Sequence, residues 1–163
     1  MKTVSIAVAF LAFLLTTLAA SAQTTTTALT AYYSLKDALV ATDAAKAKLN
    51  AAALSTALST VTVGKPWAAN KKVLLNARQK ATIISKTTDI DVQREAFESL
   101  STSMITLTKF TKSASQKVAP AYVQFCPMAA EGKGASWLSD KKEVRNPYYG
   151  DKMLKCGAVK EEI

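Results

Sequence analysis

Apolar residues recur at three- and four-residue steps over most of residues 28–112, which restricts this part of the chain to amphipathic helices. The first stripe runs from Leu29 to Leu39 and the second from Ala47 to Val61. Asp43 lies between them and can cap a helix, so the pattern predicts two helices, or one helix with a break at this point. Helices of moderate length with short connections are typical of an up-and-down antiparallel bundle.

Two further helices complete the predicted bundle. The third follows the Gly-Pro punctuation at residues 63–67, and its stripe consists of Leu74, Ala77, Ala81 and Ile84. The fourth can be capped by Thr88 or Asp89. It has the longest stripe, which includes the core methionine and consists of Ile90, Phe97, Leu100, Met104, Leu107 and Phe110. The sequence therefore predicts a mainly α protein, with an antiparallel bundle of about four helices over about residues 28–112.

The pattern changes after Lys117, where short β-branched and aromatic segments replace the long helices. The segment "APAYVQFCPM" is predicted to form a strand that Pro127 stops, "ASWLS" a second short strand and "AVKEEI" a last one. Gly132 and Gly134 indicate a turn, and so does the Asn-Pro of "RNPYYGDK". We expect a small irregular or β unit over about residues 118–163.

The first 22 residues resemble a secretory signal peptide. Lys2 is followed by an apolar run that ends in Ala20-Ser21-Ala22, a small-residue cleavage pattern. An uncleaved membrane anchor is the alternative, but the run is short for a membrane span. We expect a soluble protein exported to a bacterial periplasm, with a single domain over residues 23–163 and no transmembrane segment in the mature chain.

The composition limits the possible functions. The chain has 21 basic and 12 acidic residues and no histidine. Removing residues 1–22, which include Lys2, leaves 20 − 12 = +8 on the mature chain. Such a charge suits anionic lipid heads, cell-wall polymers or an acidic partner, rather than nucleic acid, in an exported protein. Lysines spread along the helices also suit solubility alone. Because histidine is the commonest general acid or base, we expect no enzyme.

Sulfur is concentrated in the C-terminal unit. Cys126 and Met128 are two residues apart, and in an extended chain they share a side. Met153 and Cys156 are three apart, and in a helical turn they also share a side. Four converging thiolate and thioether sulfurs would bind copper(I) or silver rather than a hard cation. The alternative is a Cys126–Cys156 disulfide, worth about 3.6 kcal/mol in the chain-entropy model.

Aromatic residues accompany the sulfur. Trp137, Tyr148 and Tyr149 can form the core of the small unit, or one ring can face a bound cation. Trp137 is therefore a fifth candidate for the metal site.

Three stretches carry a resemblance to a known family. "YYSLKDALVATD", "DIDVQREAFESLS" and the long tail "YVQFCPMAAEGKGASWLSDKKEVRNPYYGDKMLKCGAVKEEI" resemble domain-of-unknown-function family 3347, over about Ala28 to Ile163. The resemblance implies an exported protein of a family without an established activity. Some of its domains are attached to periplasmic adaptor subunits of copper/silver efflux systems. "FCPMA" is also similar to the Cys-Pro-Met-His-Pro motif of small heavy-metal-binding domains, at Cys126, Pro127 and Met128 only, since Ala129 replaces the histidine.

These observations lead to two functional expectations. The first is a periplasmic copper(I)- or silver-binding protein that buffers the ion or delivers it to an efflux adaptor or other envelope protein. Its ligands would be Cys126, Met128, Met153 and Cys156. The second is a disulfide-stapled, metal-free interaction domain with a basic surface.

Overall fold

Four helices precede a small sheet in the computed structural model, which describes residues 26–61, 70–114 and 120–163. The helices are α1 (26–40), α2 (Ala44–Thr60), α3 (Lys71–Ile84) and α4 (Ile90–Ala114). The predicted helical bundle is confirmed. The expected signal peptide over residues 1–22 and the Gly-Pro segment at 63–67 lie outside the described ranges.

Asp43 separates α1 from α2. Thr42 has a φ of 56°, a left-handed conformation that ends α1. The Asp43 carboxylate then accepts a hydrogen bond from the backbone N–H of Lys46 and caps α2. Asp89 acts in the same way at α4, where its carboxylate accepts from the N–H groups of Asp91 and Val92. Of the two arrangements that the sequence left open, the structure has two separate helices.

The predicted apolar stripes form the bundle core. α3 packs against α2 and against α4. Alanines that lack any solvent exposure line these contacts and allow close approach, while larger side chains fill the remaining volume. The alanines are Ala47, Ala51, Ala77 and Ala81, and the larger side chains are Leu54, Leu58, Leu74, Ile84, Phe97 and Leu100. No helix within the described ranges is long and apolar enough to cross a membrane.

The C-terminal unit, called the tail here (residues 120–163), contains a three-stranded antiparallel sheet. Its strands are β1 (Tyr122–Cys126), β2 (Ala135–Ser139) and β3 (Ala158–Glu162), in the order β2-β1-β3. Gln124 of β1 lies opposite Trp137 of β2, and the β1–β3 register shifts between Val123 and Gln124. A 3₁₀ helix (Gly150–Met153) lies between β2 and β3. The three predicted strands are confirmed.

A chain of aromatic rings joins the tail to the bundle. Tyr32 of α1 stacks on Phe97 of α4, with 5.3 Å between ring centroids. Phe97 contacts Tyr148 at 5.9 Å, and Tyr148 meets the edge of Trp137 at 5.8 Å. All four residues are buried, so this aromatic chain is a continuous apolar connection from α1 to β2.

Polar contacts fix the same joint. The hydroxyl of Tyr32 accepts a hydrogen bond from the backbone N–H of Leu138 on the outer edge of β2, at 3.2 Å. It also bonds with the hydroxyl of Ser101, at 2.8 Å. Burial raises the pKa of Tyr32, so its hydroxyl stays neutral. The buried Lys36 ammonium lies 2.9 Å from the Asp37 carboxylate and 3.4 Å from that of Asp140, just after β2.

Candidate functional site

The two cysteines form a disulfide. Cys126 is the last residue of β1 and is buried, whereas Cys156, two residues before β3, is half-buried. Their Cα atoms are 5.7 Å apart, within the usual range for a disulfide. Because each sulfur is bonded to the other, neither is a thiolate ligand in this state.

Both methionines lie near this bridge and are exposed. Met128 follows Cys126 by two residues and is 52% exposed, while Met153 ends the 3₁₀ helix and is 37% exposed. The Tyr149 hydroxyl donates to the backbone carbonyl of Met128, at 2.5 Å. The disulfide therefore joins the two segments that carry these exposed methionines. Within the described ranges, no group of three or more His, Cys, Asp or Glu residues is arranged to hold a metal ion.

Trp137 belongs to the interior of the tail. Its ring lacks solvent exposure and meets Tyr148, so neither face is open to a cation from solvent. Its indole N–H and the side-chain carbonyl of its cross-strand neighbour Gln124 have no hydrogen-bond partner among the described residues.

Two amides that the sequence analysis did not select organise the loops around the disulfide. The side-chain nitrogen of Gln124 donates to three successive carbonyls, those of residues 141–143, at 3.0 to 3.3 Å. The Asn146 side-chain carbonyl accepts from the N–H groups of Tyr148 and Tyr149, and its nitrogen donates to the carbonyl of Cys156. The predicted Asn-Pro turn is thus held to the disulfide by the asparagine itself.

Arg94 makes a second joint between bundle and tail. Its guanidinium donates to the Pro147 carbonyl at 3.0 Å, and also to the Leu39 carbonyl and the Thr42 hydroxyl. Partial burial lowers the pKa of Arg94. Gly150 lies against this group with a φ of 58°, and a Cβ atom there would be 2.4 Å from the Thr42 hydroxyl oxygen.

A cleft of about 490 Å³ lies between α4 and the tail. Its charged lining consists of Asp91, Glu95, Glu98 and Glu131 against Arg94 and Lys133, and Tyr148 and Tyr149 contribute aromatic surface. The cleft is therefore acidic, although the whole chain is basic.

The positive charge is concentrated in the α2–α3 hairpin. Between Asp43 and Asp89 the sequence has no acidic residue and eight basic ones, which are Lys46, Lys48, Lys65, Lys71, Lys72, Arg78, Lys80 and Lys86. The rest of the chain is almost balanced, because 21 − 8 = 13 basic residues accompany 12 acidic ones. Along the sequence the lysines are spread over the helices, and their segregation from the acidic residues becomes visible only when both signs are counted together.

Of the described lysines of the hairpin, Lys46, Lys71, Lys72 and Lys86 are exposed, and Lys48 and Lys80 are half-buried. We define the basic face by the described lysines of this segment: Lys46, Lys48, Lys71, Lys72, Lys80 and Lys86. None of these lysines forms an ion pair within the described part of the chain. Arg78 is different, because its guanidinium donates to carbonyls at the end of α2, those of Leu58, Ser59 and Val61.

Comparison with known proteins gives one match. A family model described as "Protein of unknown function (DUF3347)" matches residues 28–116. This range covers α2, α3, α4 and α1 from residue 28 onward, but not the disulfide, the methionines beside it or the sheet. No curated protein and no solved structure matches the chain.

Proposed function

The chain belongs to the DUF3347 family of proteins of unknown function, and from its own geometry we propose a disulfide-stapled interaction domain that binds an acidic partner through its basic face. The observation that carries this proposal is the segregation of charge, since nearly all of the net positive charge belongs to one helical hairpin. We also propose export to a bacterial periplasm after removal of residues 1–22, because disulfides persist in oxidising compartments.

Two physical features support a docking role. Exposed lysines without an intramolecular partner leave a positive potential that attracts an acidic surface and accelerates encounter. The disulfide, Gln124 and Asn146 cross-link the tail internally. Tyr32 and Arg94 join the tail to the bundle through hydrogen bonds to Leu138 and Pro147. The domain therefore presents the basic face from a rigid support, which limits the entropy lost on binding.

The proposal is tested by retention of the mature chain (residues 23–163) on a heparin matrix, used as a soluble-polyanion mimic, in a salt gradient. The variant Lys46→Gln/Lys72→Gln/Lys86→Gln removes three charges from the basic face. Lys141→Gln/Lys142→Gln/Lys152→Gln removes the same number from exposed positions of the tail. We expect the first variant to elute at clearly lower salt than the second. Equal losses would mean that net charge alone is responsible, which would contradict a specific face.

A second candidate function is binding of copper(I) or silver by the reduced protein, which would buffer the ion or pass it to an efflux adaptor. The specific observation in its favour is that two exposed methionines flank the disulfide. Reduction would add the thiolates of Cys126 and Cys156, giving two thiolates and two thioethers, a set suited to soft monovalent ions. Because Cys126 is buried, the tail would have to open locally to offer all four sulfurs.

This candidate is tested by a copper(I) competition titration of the reduced mature chain against a chromophoric chelator, without oxygen. We expect one ion per chain, loss of binding in Cys126→Ser/Cys156→Ser, and weaker binding in Met128→Leu/Met153→Leu. Lack of competition by the reduced wild type would refute copper binding. If the methionine variant competed as well as the wild type, the thioethers would not be ligands.

A further inference from the structure

The outer side of α3 combines lysine with large aliphatic residues. Lys72, Leu75, Gln79 and Ile83 follow one another at steps of three and four residues, so they lie along one side of the helix. All four are exposed, and Lys86 continues the series just after α3 ends. Leu75 is 50% exposed and Ile83 37%.

The same combination occurs on α2. Leu49 is 70% exposed, the largest value among the exposed large hydrophobic residues of the described chain, and it lies three residues after the exposed Lys46. We call Leu49, Leu75 and Ile83 the aliphatic anchors. Single exposed aliphatic residues are ordinary on protein surfaces. Here three of them lie on the one hairpin that has lysines and no acidic residue.

The composition of this surface differs from that of a protein–protein interface. Such interfaces are enriched in aromatic residues and arginine and depleted in lysine. α2 and α3 contain no aromatic residue, and their one arginine, Arg78, is bonded to the end of α2. Lysine ammonium groups next to exposed leucine and isoleucine are instead typical of helices that lie in the interface of an anionic bilayer.

We infer that the basic face docks on a lipid bilayer that contains an anionic phospholipid. The aliphatic anchors enter the boundary between headgroups and acyl chains, and Lys46, Lys72 and Lys86 contact the lipid phosphates. α2 and α3, of 17 and 14 residues, lie along the bilayer surface. The inference rests on the proposed function, because it names the acidic partner of the same face.

The expected effects follow from the charges and the anchors. Each lysine near an anionic membrane surface strengthens binding about fivefold, so removal of three weakens it by about 100-fold. Binding also weakens as salt rises, since ions screen the exposed lysines. Replacing the aliphatic anchors with serine removes apolar contact without changing the charge, and we expect a loss of about tenfold or more.

The test is co-sedimentation of the mature chain with two kinds of vesicle, phosphatidylcholine alone and phosphatidylcholine mixed with phosphatidylglycerol. It compares the wild type, the variant Lys46→Gln/Lys72→Gln/Lys86→Gln, the anchor variant Leu49→Ser/Leu75→Ser/Ile83→Ser, and the tail control Lys141→Gln/Lys142→Gln/Lys152→Gln. All substituted residues are exposed, so circular dichroism melts should show each variant folded like the wild type.

We expect the wild type and the tail control to bind only the mixed vesicles, and both other variants to lose binding. An anchor variant that binds like the wild type would overturn the inference, since the anchors would then not enter the bilayer. Lack of vesicle binding, with retention on heparin that depends on the basic face, would overturn it in favour of a soluble acidic partner and leave the proposed function standing. Absence of both activities would overturn the inference and the proposed function together.

Discussion

The contribution of the Cys126–Cys156 disulfide to stability can be calculated from the separation of the two residues. The bridge closes a loop with a sequence separation of 30. In the chain-entropy model this loop lowers the entropy of the unfolded chain enough to stabilise the folded state by about 3.6 kcal/mol. Reduction keeps both sulfur atoms in place, so it removes the cross-link without leaving a cavity at the buried Cys126.

Urea unfolding of the mature chain, followed by circular dichroism with and without a reductant, measures this contribution. With the urea dependence usual for small proteins, a loss of about 3.6 kcal/mol lowers the midpoint by about 1–4 M. The double variant Cys126→Ala/Cys156→Ala serves as the control, because its midpoint should be the same with and without the reductant. Its stability should be about 1 kcal/mol lower than that of the reduced wild type, owing to the cavity left at Cys126.

Two results would refute this reasoning. If reduction lowered the free energy of unfolding by less than about 1 kcal/mol, the loop would not be a significant constraint on the unfolded chain. If reduction instead produced a second transition at low urea, the tail would unfold separately from the bundle. The aromatic chain and Arg94 would then be too weak to join them into one cooperative unit.

Three further predictions concern the tail and its joint with the bundle. Gly157→Ala should destabilise the fold by about 1–3 kcal/mol, measured by urea unfolding. Gly157 has a φ of 134°, and an added Cβ would lie 2.7 Å from the Phe125 carbonyl oxygen. An unchanged midpoint would contradict this close approach. Gln124→Glu should cost more stability than Gln124→Leu at pH 7, because both lose the donor but only the first turns a carboxylate toward three carbonyl oxygens. Equal costs would contradict a side chain held against these carbonyls. Burial raises the pKa values of Tyr32 and Tyr148, so these hydroxyls lose their protons at lower pH in the unfolded chain than in the folded one. Their contribution to stability is therefore complete below about pH 10. Above that pH it declines by up to about 1.4 kcal/mol per pH unit per tyrosine. Urea midpoints from pH 8 to 11 should show the decline for the wild type and a shallower one for Tyr148→Phe, whereas a flat profile for the wild type would be inconsistent with buried neutral hydroxyls.

The helices could be predicted because their determinants are local. Each buried stripe follows the helical period, and Asp43 and Asp89 act through hydrogen bonds within three residues. The strands were also detectable from composition and from Pro127. Their order could not be predicted, because the position of β3 beside β1 depends on pairing between residues more than 30 positions apart.

Lys36 shows why the joint between bundle and tail was not predictable. A lysine within an apolar helical stripe is usually exposed, yet Lys36 is 3% exposed, and its ammonium lies near Asp140, which is 104 residues away. Tyr32 lies within the first apolar stripe, but the hydrogen bond of its hydroxyl depends on Leu138, which is 106 residues away. From the sequence, a disulfide and a metal site of four sulfurs were both possible. Only the fold determines the distance between the cysteines, which decides whether they can form a disulfide.

The contact between Tyr32 and Leu138 has a consequence for the order of folding. These residues are 106 positions apart, whereas α2 and α3, α3 and α4, and β1 and β2 are neighbours along the chain. Contacts between neighbouring segments form at low entropic cost, so we expect the helical hairpins and the β1–β2 hairpin to form first and the tail to dock on α1 last. Substitutions at this joint should therefore accelerate unfolding and leave the folding rate almost unchanged.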